Sequence, residues 1–93
     1  MASIAQLCAA QKKVVFVAGP KSHGFFAHEH AAGCKLLAKH LEAANLGIKA
    51  VVVTDGGYPK DPTVFDGADA VVVACDGGVR HLLNKNLGDF DQI

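Results

Sequence analysis

Three runs of apolar, mostly β-branched residues punctuate the chain: Val14-Val15-Phe16-Val17-Ala18, Ile48 to Val53, and Ala70 to Ala74. None alternates strictly with polar residues, which is the pattern of strands covered on both faces, as in a parallel sheet. The first run is led by Lys12-Lys13 and stopped by Gly19-Pro20; the third is approached through Phe65-Asp66-Gly67-Ala68-Asp69. Between the first two runs the apolar residues Ala27, Ala31, Cys34, Leu37, Ala38 and Leu41 recur at helical spacing, with Lys35, Lys39 and Glu42 on the opposite side. This spacing predicts a helix from about His28 to Asn45, closed by Asn45-Leu46-Gly47, a segment able to supply the left-handed residue that ends many helices. The order is strand, helix, strand, short crossover, strand. Connections of this length favour a parallel sheet with right-handed crossovers.

The expected fold class is therefore α/β, a flavodoxin-like parallel sheet with helices on its faces, truncated to about three strands. The last segment, Gly78 to Ile93, reads as partly helical and adds no further strand. One helix covers one face of a sheet, and three strands leave two edges open. The expectation is that residues 12–93 form the N-terminal part of an α/β domain, as a fragment, a truncated gene product or half of an assembly. Residues 1–11 form an N-terminal extension, small and apolar with Cys8-Ala9-Ala10 near its end. It resembles the tail of a secretory signal, yet it lacks a basic start and is too short to span a bilayer. The cytoplasm is slightly favoured and export stays open.

Charge changes this picture by exclusion. Nine Lys plus Arg balance nine Asp plus Glu, and no basic run is interleaved with aromatics, so neither nucleic acid nor a membrane surface is an expected partner. Recognition must come from a local site. The three cysteines, Cys8, Cys34 and Cys75, are too widely spaced for a Cys-x-x-Cys metal motif, and their odd number makes no disulfide framework.

Open parallel sheets bind ligands beyond the carboxyl ends of their strands, where the strand order reverses. With the order two, one, three, the loops after the first and third strands meet there. Those loops hold His23, His28, Glu29, His30, Asp76 and His81, and so four of the chain's five histidines. Helical phase puts His30 on the stripe of Cys34, Leu37 and Leu41, facing the sheet and the pocket mouth, whereas His28 and Glu29 point elsewhere. Gly19-Pro20-Lys21-Ser22-His23-Gly24 lacks the spacing of a nucleotide phosphate loop. Asp76-Gly77-Gly78 allows close backbone approach, with Asp76 placed to accept hydrogen bonds from hydroxyls. His81 could reach the same mouth. A histidine-bound metal is conceivable, but no pair has i, i+4 spacing on one helical face, and no metal or cofactor is assigned. Cys75 lacks the tight Gly-x-Cys-x-Gly turn of a nucleophile and reads as an apolar packing residue. Asp55 and Tyr58, within Thr54-Asp55-Gly56-Gly57-Tyr58-Pro59, read as structural or rim residues.

Several separated motifs carry a resemblance. Val17-Ala18-Gly19-Pro20-Lys21-Ser22-His23-Gly24, His28-Glu29-His30 with Gly33-Cys34, Tyr58-Pro59-Lys60-Asp61-Pro62, Phe65-Asp66-Gly67-Ala68-Asp69, and Asp76-Gly77-Gly78 with His81 resemble, in the same order, the N-terminal portion of the bacterial-type ThuA-like (trehalose utilisation) family. The resemblance implies the class I glutamine amidotransferase-like fold and a link to trehalose and keto-disaccharide catabolism. It implies a sugar or sugar-derived ligand, with His23 and His30 as acid or base and with Gly19, Ser22, Gly24, His28, Glu29, Asp76, Gly77, Gly78 and His81 as ligand-binding positions. Family members continue for a further hundred residues or more, and Cys75 stands where another residue type is expected. The catalytic cysteine of the amidotransferase relatives belongs to a later strand turn, so that activity is not carried over. The competing expectation is a non-catalytic ligand-binding or oligomerising fragment, as a homo-oligomer or lacking its C-terminal half.

Overall fold

The computed structural model describes residues 11–21, 29–77, 81–91 and 93. Strand β1 (Lys12–Ala18) leads through the Gly19 loop to helix α1 (His30–Ala43), strand β2 (Ile48–Val53), a 3-10 turn (Pro62–Phe65) and strand β3 (Ala70–Ala74). A second 3-10 turn (Leu82–Lys85) and the short helix α2 (Leu87–Asp91) follow. The sheet is parallel in the order β2-β1-β3, a small α/β fold consistent with a truncated flavodoxin-like arrangement. Helix α1 ends two residues before the predicted limit, where Asn45 turns to φ 56° and Gly47 to φ 71°.

Central position explains the composition of β1. Its Val15, Val17 and Ala18 are fully buried and Phe16 nearly so. The register sets Val14 beside Ala50 on one side and Ala70 on the other. Because side chains alternate across a strand, β1 feeds two separate cores. On one face Phe16 and Ala18 meet Cys34 and Ala38 of α1, with Val14, Ala50, Val52 and Ala74 around them. On the other, Val15, Val17 and Val53 pack with Phe65 and Leu82.

That second face corrects the expectation of a bare layer. Among the described residues no long helix covers it; the 3-10 turns, Tyr58 and α2 do. Tyr58, Phe65 and Phe90 form an aromatic triangle with ring centroids 5.0 to 6.0 Å apart, in tilted and edge-on arrangements that the ring quadrupole favours.

The helical stripe also needs correction at one position. Leu37, expected in the core, is 57% exposed. The Oε1 of Glu42 accepts the Ala50 N–H at 2.8 Å, so that side of α1 overhangs β2, while His30 on the other side reaches toward the end of β3. Leu37 lies within about 20° of His30 around the helix at about 100° per residue. It therefore projects on the β3 side, beyond the strands that α1 covers. Cys34 and Ala38, nearer the middle of the contact, are the buried residues of the helix.

Polar side chains set the strand starts. Asp69 accepts the Lys13 N–H at 2.8 Å and returns its own N–H to the Lys13 carbonyl, while Lys13 Nζ donates to the Asp66 carbonyl. Asp61 caps the first 3-10 turn by accepting both the N–H and the hydroxyl of Thr63, and these bonds hold its carboxyl below the ordinary value of 3.8. A depressed carboxylate stabilises the fold above its unfolded value, and that stabilisation fades as pH falls through the lower folded value. The Asp61→Asn variant should therefore lack a small acid-side loss of thermal stability that the parent shows below about pH 4; parallel melting curves across that range check it. Phe90→Ala should destabilise by about 2 kcal/mol, less than a fully buried phenylalanine because the ring is half-buried. Urea denaturation measures this, and an unchanged midpoint would show that α2 does not close the second face.

Candidate functional site

The carboxyl ends of β1 and β3 are drawn together beyond the last strand residues. Gly19 N–H donates to the Ala74 carbonyl at 2.8 Å, which carries the β1–β3 pairing one step into the loop. Here a glycine is required by space. A Cβ on Gly19 would lie 2.6 Å from Cys75 Cβ, a separation real side chains do not tolerate. The two backbones meet at the switch between β2-β1 and β3, where an open parallel sheet offers a crevice.

To this junction α1 brings its first residue. His30 Nε2 lies 3.3 Å from Asp76 Oδ1, and their side chains are only 16% and 14% exposed. The pair joins the start of α1 to the loop after β3, across 46 positions of sequence. An ionised carboxylate only accepts hydrogen bonds, so Nε2 carries a proton when it donates to Asp76. The distance is at the long end of the hydrogen-bond range, an orienting contact rather than a tight one. Beside it Glu29, at the N-cap position of α1, makes no cap hydrogen bond with its side chain. Its carboxylate instead lies 3.5 Å from Lys21 Nζ, linking the loop after β1 to the helix start.

Of the residues expected in the site, Gly19, Glu29, His30, Asp76 and Gly77 surround these strand ends. His30 turns toward the end of β3 as its helical phase predicts, and Asp76 engages His30. His81 differs from expectation in part: its Nδ1 accepts the Leu83 N–H at 3.1 Å, so it serves as the N-cap of the second 3-10 turn. Ser22, His23, Gly24, His28 and Gly78 lie outside the described residues. Lys21 was not singled out as a site residue; a lysine in a turn gives no signal of its partner until Glu29 is folded beside it.

Neighbouring groups behave as packing residues. Burial pushes the Cys34 thiol up, which keeps it protonated and unreactive. Cys75 packs against the second-face core, and Asp55 accepts the Lys60 N–H within its turn, the structural role expected of it. Among the described residues no group of three or more metal-ligating side chains is assembled, and no helix is long and apolar enough to cross a membrane. No family model matches the chain, and no curated protein or solved structure matches it either.

Two glycines test this description with opposite signs. Gly19→Ala should destabilise by about 1 to 3 kcal/mol, the usual cost of forcing volume into a tight contact. Gly33→Ala, in the helix interior with nothing within 4 Å of the added carbon, should stabilise by about 0.5 to 1 kcal/mol. Urea midpoints of both variants measure the contrast.

Proposed function

We infer that the chain is a carbohydrate-related α/β domain of the ThuA-like type, binding a sugar or sugar-derived ligand at the ends of β1 and β3. The observation that carries this reading is the partly buried His30–Asp76 pair at the strand-order switch. An imidazole oriented by a carboxylate takes up and returns a proton near neutral pH, which suits acid–base work on a hydroxyl or on the carbon beside a keto group. Glu29, next to the pair in sequence and held by Lys21, is a second carboxylate to accept hydrogen bonds from ligand hydroxyls. The motif positions His23, His28, Ser22, Gly24, Gly77 and Gly78 would complete the ligand's surroundings.

Keto-disaccharides derived from trehalose are the ligands of choice for a test. Binding should raise the melting temperature of the parent protein, and His30→Gln should remove that rise. If the ligand turns over, His30→Gln should lower kcat roughly 100-fold or more, the usual contribution of a positioned acid–base group. Asp76→Asn should lower kcat with a smaller change in KM, since it acts through the histidine. Binding and turnover that survive both substitutions would defeat the assignment.

A second reading, a non-catalytic oligomerising unit, is favoured by a different observation. Leu37 and Val72 are 57% and 39% exposed, and both lie on the helix-bearing side of the sheet.

A further inference from the structure

The long helix begins without the side-chain cap that both short turns have. Asp61 accepts the Thr63 N–H and His81 accepts the Leu83 N–H at the starts of the two 3-10 turns, whereas Glu29, at the N-cap position of α1, makes no such bond. Ser, Thr, Asp or Asn is the usual residue there, each short enough to accept a first-turn N–H. The Glu29 carboxylate is drawn instead to Lys21 Nζ, 3.5 Å away. Lys21 is itself set on a fixed base. Gly19 is pinned to the Ala74 carbonyl, and a Cβ on Gly56, in the loop after β2, would come within 3.9 Å of Pro20 Cβ. The lysine side chain is largely exposed and that of Glu29 largely sheltered, so the cation meets the carboxylate from the solvent side.

We propose that Lys21 is a positioning residue, which holds the Glu29 carboxylate away from the helix cap so that carboxylate and ammonium together read one hydroxyl of the ligand. This rests on the sugar reading given above and names what the pair recognises. A carboxylate only accepts hydrogen bonds and an ammonium only donates them, whereas a hydroxyl does both. At 3.5 Å the pair is longer than a direct charge-assisted hydrogen bond of about 2.7 to 2.9 Å. A ligand hydroxyl can therefore donate to Glu29 while its oxygen accepts from Lys21. The pair carries no net charge, which suits a neutral polyol. A phosphate or carboxylate on the ligand would meet repulsion from Glu29 alongside attraction from Lys21.

Lys21→Met should raise the KM for a trehalose-derived keto-disaccharide, or the Kd where there is no turnover, by roughly fivefold, the upper end for an ion pair this exposed. The change in kcat should be smaller. Lys21→Arg should restore the parent value because it keeps the charge, and Lys35→Met, on an exposed part of α1, should match the parent. A measurement without ligand judges the holding contact by itself. In Lys21→Met the released Glu29 carboxylate turns to the first N–H groups of α1, so hydrogen exchange at Ala31 and Ala32 should slow. Glu29→Ser should slow it by roughly fivefold, the effect of an ordinary cap, and should raise the melting temperature while weakening sugar binding. A parent that does not bind the sugar sinks the sugar reading and the hydroxyl recognition with it. A parent that binds it, with affinity untouched by Lys21→Met or not restored by Lys21→Arg, or with exchange at Ala31 and Ala32 untouched by Lys21→Met, overturns the role of Lys21 and leaves the reading of His30 and Asp76 in place.

Discussion

Everything in this small fold depends on enclosing β1. A strand with neighbours on both edges and cores on both faces has no polar surface to offer, and Val15, Val17 and Ala18 show no exposure at all. Enclosure demands a parallel strand on each side, since both β2 and β3 return to the same end of the sheet through crossovers. It also demands two different covers, one helical and one built from turns and aromatic rings. Burial of this kind stabilises by roughly 25 cal/mol per Å² of apolar surface, and most of what this chain has to bury converges on that strand.

The site follows from the same enclosure. When β1 and β3 are held side by side through Gly19, the loops that leave them emerge together, and α1 must begin close by to reach back across the sheet. His30 and Asp76 are thereby neighbours because of where the strands end. Their low exposure means the pair works in a less watery environment than either side chain would meet on an open loop, which strengthens their electrostatic coupling. Lys21 and Glu29 tie the outer part of the same junction. A polar junction at the carboxyl ends, resting on an apolar strand trio, is the arrangement by which open α/β sheets generally hold small ligands.

The covering layers are unequal, and this has consequences for the surface. Helix α1 sits toward β2 and anchors that strand's edge through Glu42, leaving the outer half of β3 less protected. The opposite face is closed by Pro62–Phe65, Leu82 and the Tyr58–Phe65–Phe90 triangle. Among the described residues β2 and β3 are the outer strands of the sheet, each paired with β1.

The strands, their parallel sense and most of the helix were legible in the linear pattern, because burial on both faces leaves a continuous apolar run and a helix leaves a 3.6-residue repeat; the order two, one, three was a supposition, and the sheet has it. The direction of His30 was legible for the same reason, since helical phase is local. Its pairing with Asp76 was not, because a contact across 46 residues exists only once β1 and β3 are in register. Leu37 is the complementary case: its spacing marks it as apolar-face, yet its exposure depends on where α1 comes to rest over the sheet. His81 looked like a site residue and caps a 3-10 turn through Nδ1, a choice between local and distant partners that spacing does not encode. Local periodicity and turn chemistry by themselves determined which segments are strands and helix. Only the tertiary structure decided which side chains meet at the ends of the strands and which apolar residues stay exposed, because both depend on how the layers are placed over β1.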